Sequence, residues 1–189
     1  MNGASTRQFQ PGRPSDATLG RRYSKGMIYL IRHGQTEMNR EGRFQGRLDS
    51  PLTALGEEQA RRVGARLRAL AGEVGGNWVI DASPLGRTRR TAELVAAEMG
   101  LAVRRHDPRL AEVDFGPWEG RTRDEIVALR PDLAEAKAFF LRCPDAESFE
   151  QLNARVRSWM EEAEAVDEHS ASLSPMRASG ACCAASVSA

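Results

Sequence analysis

The chain has 189 residues, of which 41% are hydrophobic and 28% charged, and a formal net charge of +1. That length suits one domain with a sizeable core, and a near-neutral balance offers no long-range attraction to nucleic acid or to an acidic membrane surface. No apolar stretch approaches the roughly 18 residues of a membrane span and no signal-peptide core follows the start, so neither nucleic acid nor membrane is expected as a partner.

In chain order, residues 1–26 are polar, with Gly, Pro and Ser, five basic residues and one acidic one. Lacking apolar periodicity, they read as a disordered extension; a targeting presequence is the alternative, or Met27 as the true start. "MIYLI" (27–31) is a short apolar run suited to a buried strand. Thr53 can cap a helix whose apolar positions Leu55, Ala60, Val63, Leu67 and Leu70 recur at three and four. "NWVID" reads as a second strand, "GRTRRTAELVAAEMG" as a helix closed by Gly100, and "LAVRR" as a third strand. "TRDEIVALR" is helical and stops at Pro131, and residues 147–165 are amphipathic through Phe149, Leu152, Val156, Trp159 and Ala163. This alternation predicts an α/β three-layer sandwich with a mostly parallel central sheet flanked by helices, one domain over 27–166. Residues 167–189, rich in Ala and Ser without a β-branched run, are expected to be an unstructured tail, with the C-terminal strand lost. Cys143, Cys182 and Cys183 form no disulfide framework; an odd count with an adjacent pair suits reduced thiols in a cytoplasmic protein.

The chemistry concentrates at "RHG" (32–34), just past the end of the first strand, where ligands of parallel sheets bind. Alone, the tripeptide is a weak signal, and His33 reads as well as a hydrogen-bonded loop histidine. Further pieces follow in order: "RHGQTEMN" (32–39), "GRFQGRLDSPLTALGEEQA" (42–60), "SPLGRTRRTAE" (83–93), "RLAEVDFGPWEG" (109–120) and "ESFEQLNARV" (147–156). Together, over roughly residues 27–165, they resemble the histidine phosphatase superfamily, the phosphoglycerate mutase-like proteins. The resemblance implies His33 as the nucleophile that forms a phosphohistidine, and phosphate binding by Arg32 and Arg87. It also places Asn39, Gln45 and Gly46 against the substrate, and makes Glu112 the acid/base. The physics agrees. A phosphoryl group in flight spreads charge over three oxygens, and always-charged planar guanidinium forks suit it. A carboxyl in such a site can hold its proton near neutral pH.

Other candidates receive plainer readings. Asp114 reads as turn chemistry, Glu119 as structural, Trp118 as packing, Arg89 and Arg90 as solvated, and His106 as an exposed loop histidine. His33, His106 and His169 have no metal-ligand spacing, so no metal or cofactor is expected.

Family mutases carry a long insertion between the glutamate and a second histidine. Here only one short helical region follows Glu112, which is similar to the compact phosphatase branch that includes alpha-ribazole phosphatases and broad-specificity members. The expected function is hydrolysis of a small phosphorylated substrate. Phosphoglycerate mutase-type transfer is the runner-up, and a catalytically dead phosphate-binding remnant the rival from another class. That rival arises because the second histidine, which the resemblance places on a strand after the last helix in a pattern like V-x-x-H-[GA]-G, is missing: His169 precedes Ser170 and does not match. Read in a shifted frame with GC-rich codons, residues 170–181 give approximately V-A-V-A-H-A-G-V, so a frame slip near His169 is expected, against a divergent C-terminus. Substrate identity and oligomeric state are not written in these residues.

Overall fold

A computed structural model describes residues 28–135, 143–164 and 169–173. The elements run β1 (Ile28–Ile31), α1 (Glu37–Arg40), α2 (Ala54–Val74), β2 (Trp78–Ala82), α3 (Gly86–Met99), β3 (Val103–His106), α4 (Arg123–Leu129), α5 (Phe149–Glu164) and β4 (His169–Leu173). Local chemistry sets most of the boundaries. Thr53 accepts a hydrogen bond from the Gly56 amide to start α2, and Gly100, at φ 71°, closes α3. Thr122 and Glu125 form a reciprocal capping box on α4.

The four strands form one parallel sheet in the order β1-β4-β2-β3. Successive residues of a strand point to opposite faces, and the two faces pack different partners. Tyr29 and Ile31 of β1, with Trp78, Ile80 and Ala82 of β2, face Leu67 of α2 and Ala92, Val95 and Ala96 of α3. Ile28 and Leu30 face the other way, against Leu110 and the α5 residues Trp159 and Ala163. The expected three-layer α/β sandwich is therefore present. A third cluster, Trp118 with Ile126 and Leu133, confirms Trp118 as a packing residue.

Two expectations need correction. A strand does follow the last helix: β4, past the expected domain end at 166, lies between β1 and β2 and pairs with both. Its sequence, "HSASL", has weak strand propensity, but propensity yields to context, and a slot with a strand on either side satisfies both edges of its backbone. Apolar periodicity also over-reached at two helix starts, since Leu55 is 50% and Phe149 59% exposed. The buried line of α2 is Gly56, Ala60, Gly64 and Leu67. The expected extension 1–26, the chain past Leu173, Cys182 and Cys183 lie outside the described residues. No helix among the described residues is long and apolar enough to cross a membrane.

Candidate active site

Three strands deliver the candidate residues from their carboxyl ends. Arg32 and His33 follow β1, Arg87 opens α3 after β2, and Glu112 lies in the turn region after β3. His33 is buried, and its Nδ1 lies 2.6 Å from the carbonyl oxygen of Gly34. A carbonyl can only accept, so Nδ1 carries the hydrogen. Burial, helped by the positive charges of Arg87 and Arg32, pushes the His33 pKa down from 6.5 to about 4. Near neutral pH the ring is uncharged and Nε2 keeps its lone pair.

The loop that carries His33 is pressed onto α2. A Cβ on Gly34 would lie 2.1 Å from the Gly56 carbonyl oxygen, and one on Gly56 would lie 2.0 Å from that of Gln35. Only a pair of glycines allows this approach. The Gly34 amide also donates to Thr91 Oγ1 of α3, which in turn donates to the Arg87 carbonyl.

Arg87 is buried, and its guanidinium is aimed by backbone. Nη1 donates to the Leu48 carbonyl at 2.7 Å and Nη2 to that of Gly46 at 2.8 Å, while Nε is buried without a partner. Asp49 accepts from the Arg87 amide at 3.0 Å. The 46–48 turn is itself fixed by Glu119, whose carboxylate accepts from the amides of Arg47, Leu48 and Phe115. Gly46 has φ 53°, and a Cβ there would meet Glu119 Oε1 at 2.0 Å. The structural reading of Glu119 holds. So does turn chemistry for Asp114, whose Oδ1 accepts from the Gly116 amide at 2.7 Å.

Glu112 is buried, and burial pushes its pKa up from 4.5 to about 7 against the opposing pull of the Val113 amide and of Arg87, Arg32 and Arg155. Desolvation outweighs three cations, which leaves a carboxyl able to give or take a proton near neutrality. Arg32, His33, Arg87 and Glu112 thus share one electrostatic environment. Gln45 is buried with its side-chain oxygen unpartnered, as is Thr88 Oγ1 beside Arg87. Such orphaned polar atoms mark a place where a polar ligand can satisfy them. Asn39 is partly committed elsewhere, its Oδ1 accepting from the Thr36 amide in the cap of α1.

The remaining histidines stand apart. His106 is the exposed last residue of β3 rather than a loop residue. His169 opens β4 in register with Trp78, at the end of the sheet opposite the site. Arg89 and Arg90 are exposed as expected, with Arg90 paired to Glu57. Sequence reading missed Asp49, Thr91, Glu147 and Arg155, although all four lie inside or beside the quoted motifs. A cavity of about 500 Å³ opens next to the chain neighbours of Gly46 and Glu112, lined by Arg47, Asp114, Asp145, Glu147, Gln151 and Arg155.

The description of the family called "Histidine phosphatase superfamily (branch 1)" matches residues 28–173. Among curated proteins, "Probable phosphoglycerate mutase GpmB" of Citrobacter koseri is 44% identical over 135 residues, which is 69% of this chain and 60% of that one. The chain therefore spans about 60% of the length of the curated relatives it matches. Among solved structures, YhfR of Bacillus stearothermophilus is 34% identical with a TM-score of 0.64, covering 78% of this chain and 71% of that one. The alpha-ribazole phosphatase of Shigella flexneri is 28% identical with a TM-score of 0.62, covering 78% and 72%. A mycobacterial glucosyl-3-phosphoglycerate phosphatase in complex with VO3 is 29% identical with a TM-score of 0.64, covering 79% and 75%.

Proposed function

Because this chain belongs to branch 1 of the histidine phosphatase superfamily, we propose that it is a phosphomonoester hydrolase working through a phosphohistidine on His33. The observation that carries the reading is a neutral, tautomer-fixed histidine and a carboxyl pushed up to about 7 that both feel the charges of Arg32 and Arg87. In the first step Nε2 of His33 attacks phosphorus and the P–O bond to the organic group breaks. The departing oxygen takes the proton of Glu112. In the second step the Glu112 carboxylate takes a proton from water, the water oxygen attacks phosphorus, and the P–N bond breaks to release inorganic phosphate. Arg32 and Arg87 hold the phosphoryl oxygens and stabilise the charge that gathers on them, with Asn39, Gln45 and the Gly46 turn completing the cradle. The substrate proposed is a small phosphorylated metabolite, the class stated by the names of the alpha-ribazole and glucosyl-3-phosphoglycerate phosphatases for those proteins. No metal or cofactor enters this scheme, and a cytoplasmic location fits it.

We also infer that this chain is slow. The sequence past Leu173 reads Ser174-Pro175-Met176-Arg177 and supplies no second histidine. Losing one donor to a transition-state charge costs roughly 10²–10³-fold in comparable sites.

A second reading, phosphoglycerate mutase-type transfer, is favoured by the name of the curated relatives. One experiment separates them. The protein is incubated with p-nitrophenyl phosphate and with 3-phosphoglycerate, and phosphorus NMR follows the products. Released inorganic phosphate, with acid-labile phosphate trapped on the protein, supports the hydrolase. Movement of the phosphoryl group on the glycerate without release supports the mutase. Orthovanadate binding without either reaction leaves a phosphate-binding remnant.

A further inference from the structure

Beside the stretch that carries Glu112 lies a charged group that the scheme above does not use, Arg155 of α5. Its side chain is largely buried, at 15% exposure, and forks against Glu147, which is 10% exposed. Nε and Nη2 both meet the Glu147 carboxylate, Nη2 at 2.8 Å from Oε2. The same guanidinium donates from Nη1 to the Arg109 carbonyl at 2.6 Å and from Nη2 to the Glu112 carbonyl at 3.4 Å. The Glu147 amide donates to the Asp114 carbonyl at 3.0 Å. The Arg155 guanidinium therefore holds two backbone carbonyls of the stretch 109–114, and the backbone of its partner Glu147 holds a third. Two turns of α5 hold the same stretch elsewhere: Ser158 and Glu162 take the Arg109 side chain, and Leu110 packs with Trp159.

Resting on the reading of Glu112 as the acid, we propose that Arg155, oriented by Glu147, is a positioning residue that clamps the backbone on either side of Glu112 and presents its carboxyl to the leaving-group oxygen. A lysine cannot do this. The contact needs a planar fork that reaches two carbonyls and a carboxylate at once, whereas an ammonium is a point donor. The clamp also contributes charge. Arg155 is one of three cations facing Glu112, with Arg32 from the loop after β1 and Arg87 from α3, and each pulls the carboxyl pKa down against burial. Glu147 in turn offsets the charge of Arg155.

The test compares Arg155→Met, Arg155→Lys and Glu147→Gln with the parent in two readouts. In the first, the carboxyl carbon of Glu112 is titrated by carbon-13 NMR, assigned with Glu112→Gln. This needs no turnover, so it reads the coupling of Arg155 to Glu112 even if the hydrolase reading fails. The midpoint is expected to rise by about one unit in Arg155→Met, to fall in Glu147→Gln and to stay near the parent value in Arg155→Lys. In the second, turnover is compared on an alkyl phosphate, whose alkoxide must be protonated, and on p-nitrophenyl phosphate, whose phenolate need not be. Arg155→Met is expected to lose roughly 10²-fold on the alkyl ester and less than about threefold on the aryl ester, with Arg155→Lys recovering part of the difference. Equal losses on both esters, or a Glu112 midpoint unmoved in both Arg155→Met and Glu147→Gln, would overturn the proposal. If Arg155→Met fails to fold, as read by circular dichroism, Glu147→Gln alone carries the titration. A parent without turnover on either ester counts against the hydrolase reading and not against the clamp.

Discussion

His33 and Glu112 are both held away from their ordinary charge states by the same cause, burial, and the two shifts open a pH window. His33 must be neutral to attack, which requires a pH above about 4, and Glu112 must be protonated to release the leaving group, which requires a pH below about 7. The pH profile of kcat/KM on a poor leaving group is expected to be bell-shaped between those limits; a plateau running past pH 8 would contradict the assignment of Glu112. His33→Ala should abolish both turnover and acid-labile labelling, and label retained on that variant would remove His33 from the mechanism. Glu112→Gln should lose roughly 10²–10⁴-fold on alkyl esters while still binding phosphate. The stability effect of Glu112→Gln runs the other way. A carboxyl whose folded pKa lies above its unfolded one contributes fully below about 4.5, and its contribution is lost as pH rises through about 7. The rise from 4.5 to about 7 corresponds to about 3 kcal/mol at most. Glu112→Gln should therefore unfold later than the parent in urea at pH 8 and show little difference at pH 4. His33 has the opposite sign: its contribution is lost as pH falls from 6.5 to about 4, so parent and His33→Gln should diverge only in acid.

At the scale of elements, the site depends on how closely the loop after β1 can approach α2. Gly56→Ala would drive a methyl to 2.0 Å from the Gln35 carbonyl oxygen, so the backbone beside His33 must move. Overpacking of this kind costs about 1–3 kcal/mol, and a displacement of about 1 Å in a reacting group can cost roughly 10²-fold in rate. Gly72→Ala, on the same helix with open space at its Cβ, is the control and should be neutral or stabilising. If both variants keep full activity, the glycine contact does not position the loop. The same contact shows what could be read from residues alone. Helix ends written in local chemistry, such as Thr53 and Gly100, were legible, because a cap lies within three or four residues of what it bonds. The buried face of α2 was legible in part: Ala60 and Leu67 are buried where the periodicity put them, whereas Gly56 and Gly64, too small to look apolar, were passed over for the exposed Leu55. Strand β4 was invisible for a related reason: its place is fixed by two neighbours distant in sequence, not by the residues "HSASL". In the candidate site, motif order pointed to Arg32, His33, Arg87 and Glu112, which the fold brings into one electrostatic environment. Asp49 and Arg155 act across 38 and 43 residues on Arg87 and Glu112, and no local pattern announces such contacts.

At the scale of the molecule, the sheet order gives the tail its meaning. With β4 between β1 and β2, its carboxyl end emerges between the loop that carries His33 and the helix start that carries Arg87. A parallel sheet collects its ligand groups at that end, so this is where the proposed phosphate site would take a further side chain. Leu173 pairs with Ile31. Counting along the sequence, His33 is two residues past Ile31, and Pro175 and Met176 are two and three past Leu173. In the shifted frame the histidine codon spans those same two residues and is followed by a small residue and a glycine, as the family pattern requires. The shifted-frame histidine would thus follow Leu173 in sequence at nearly the spacing at which His33 follows Ile31. Sequencing the DNA from the codon of Ala165 is expected to reveal an open frame that encodes an apolar run, then His, then Gly. A stop, or no histidine across the codons of Pro175 and Met176, would refute the frame slip and leave a divergent C-terminus. The repaired chain, with residues from 170 onward taken from that frame, is expected to turn over an alkyl phosphate roughly 10²–10³-fold faster than the present one. It should also unfold at a higher temperature, because an apolar strand in the central slot buries more surface than "HSASL" does. Equal turnover in the two chains would mean that Arg32, Arg87 and the Gly46 turn hold the phosphoryl group without help from that end of the sheet.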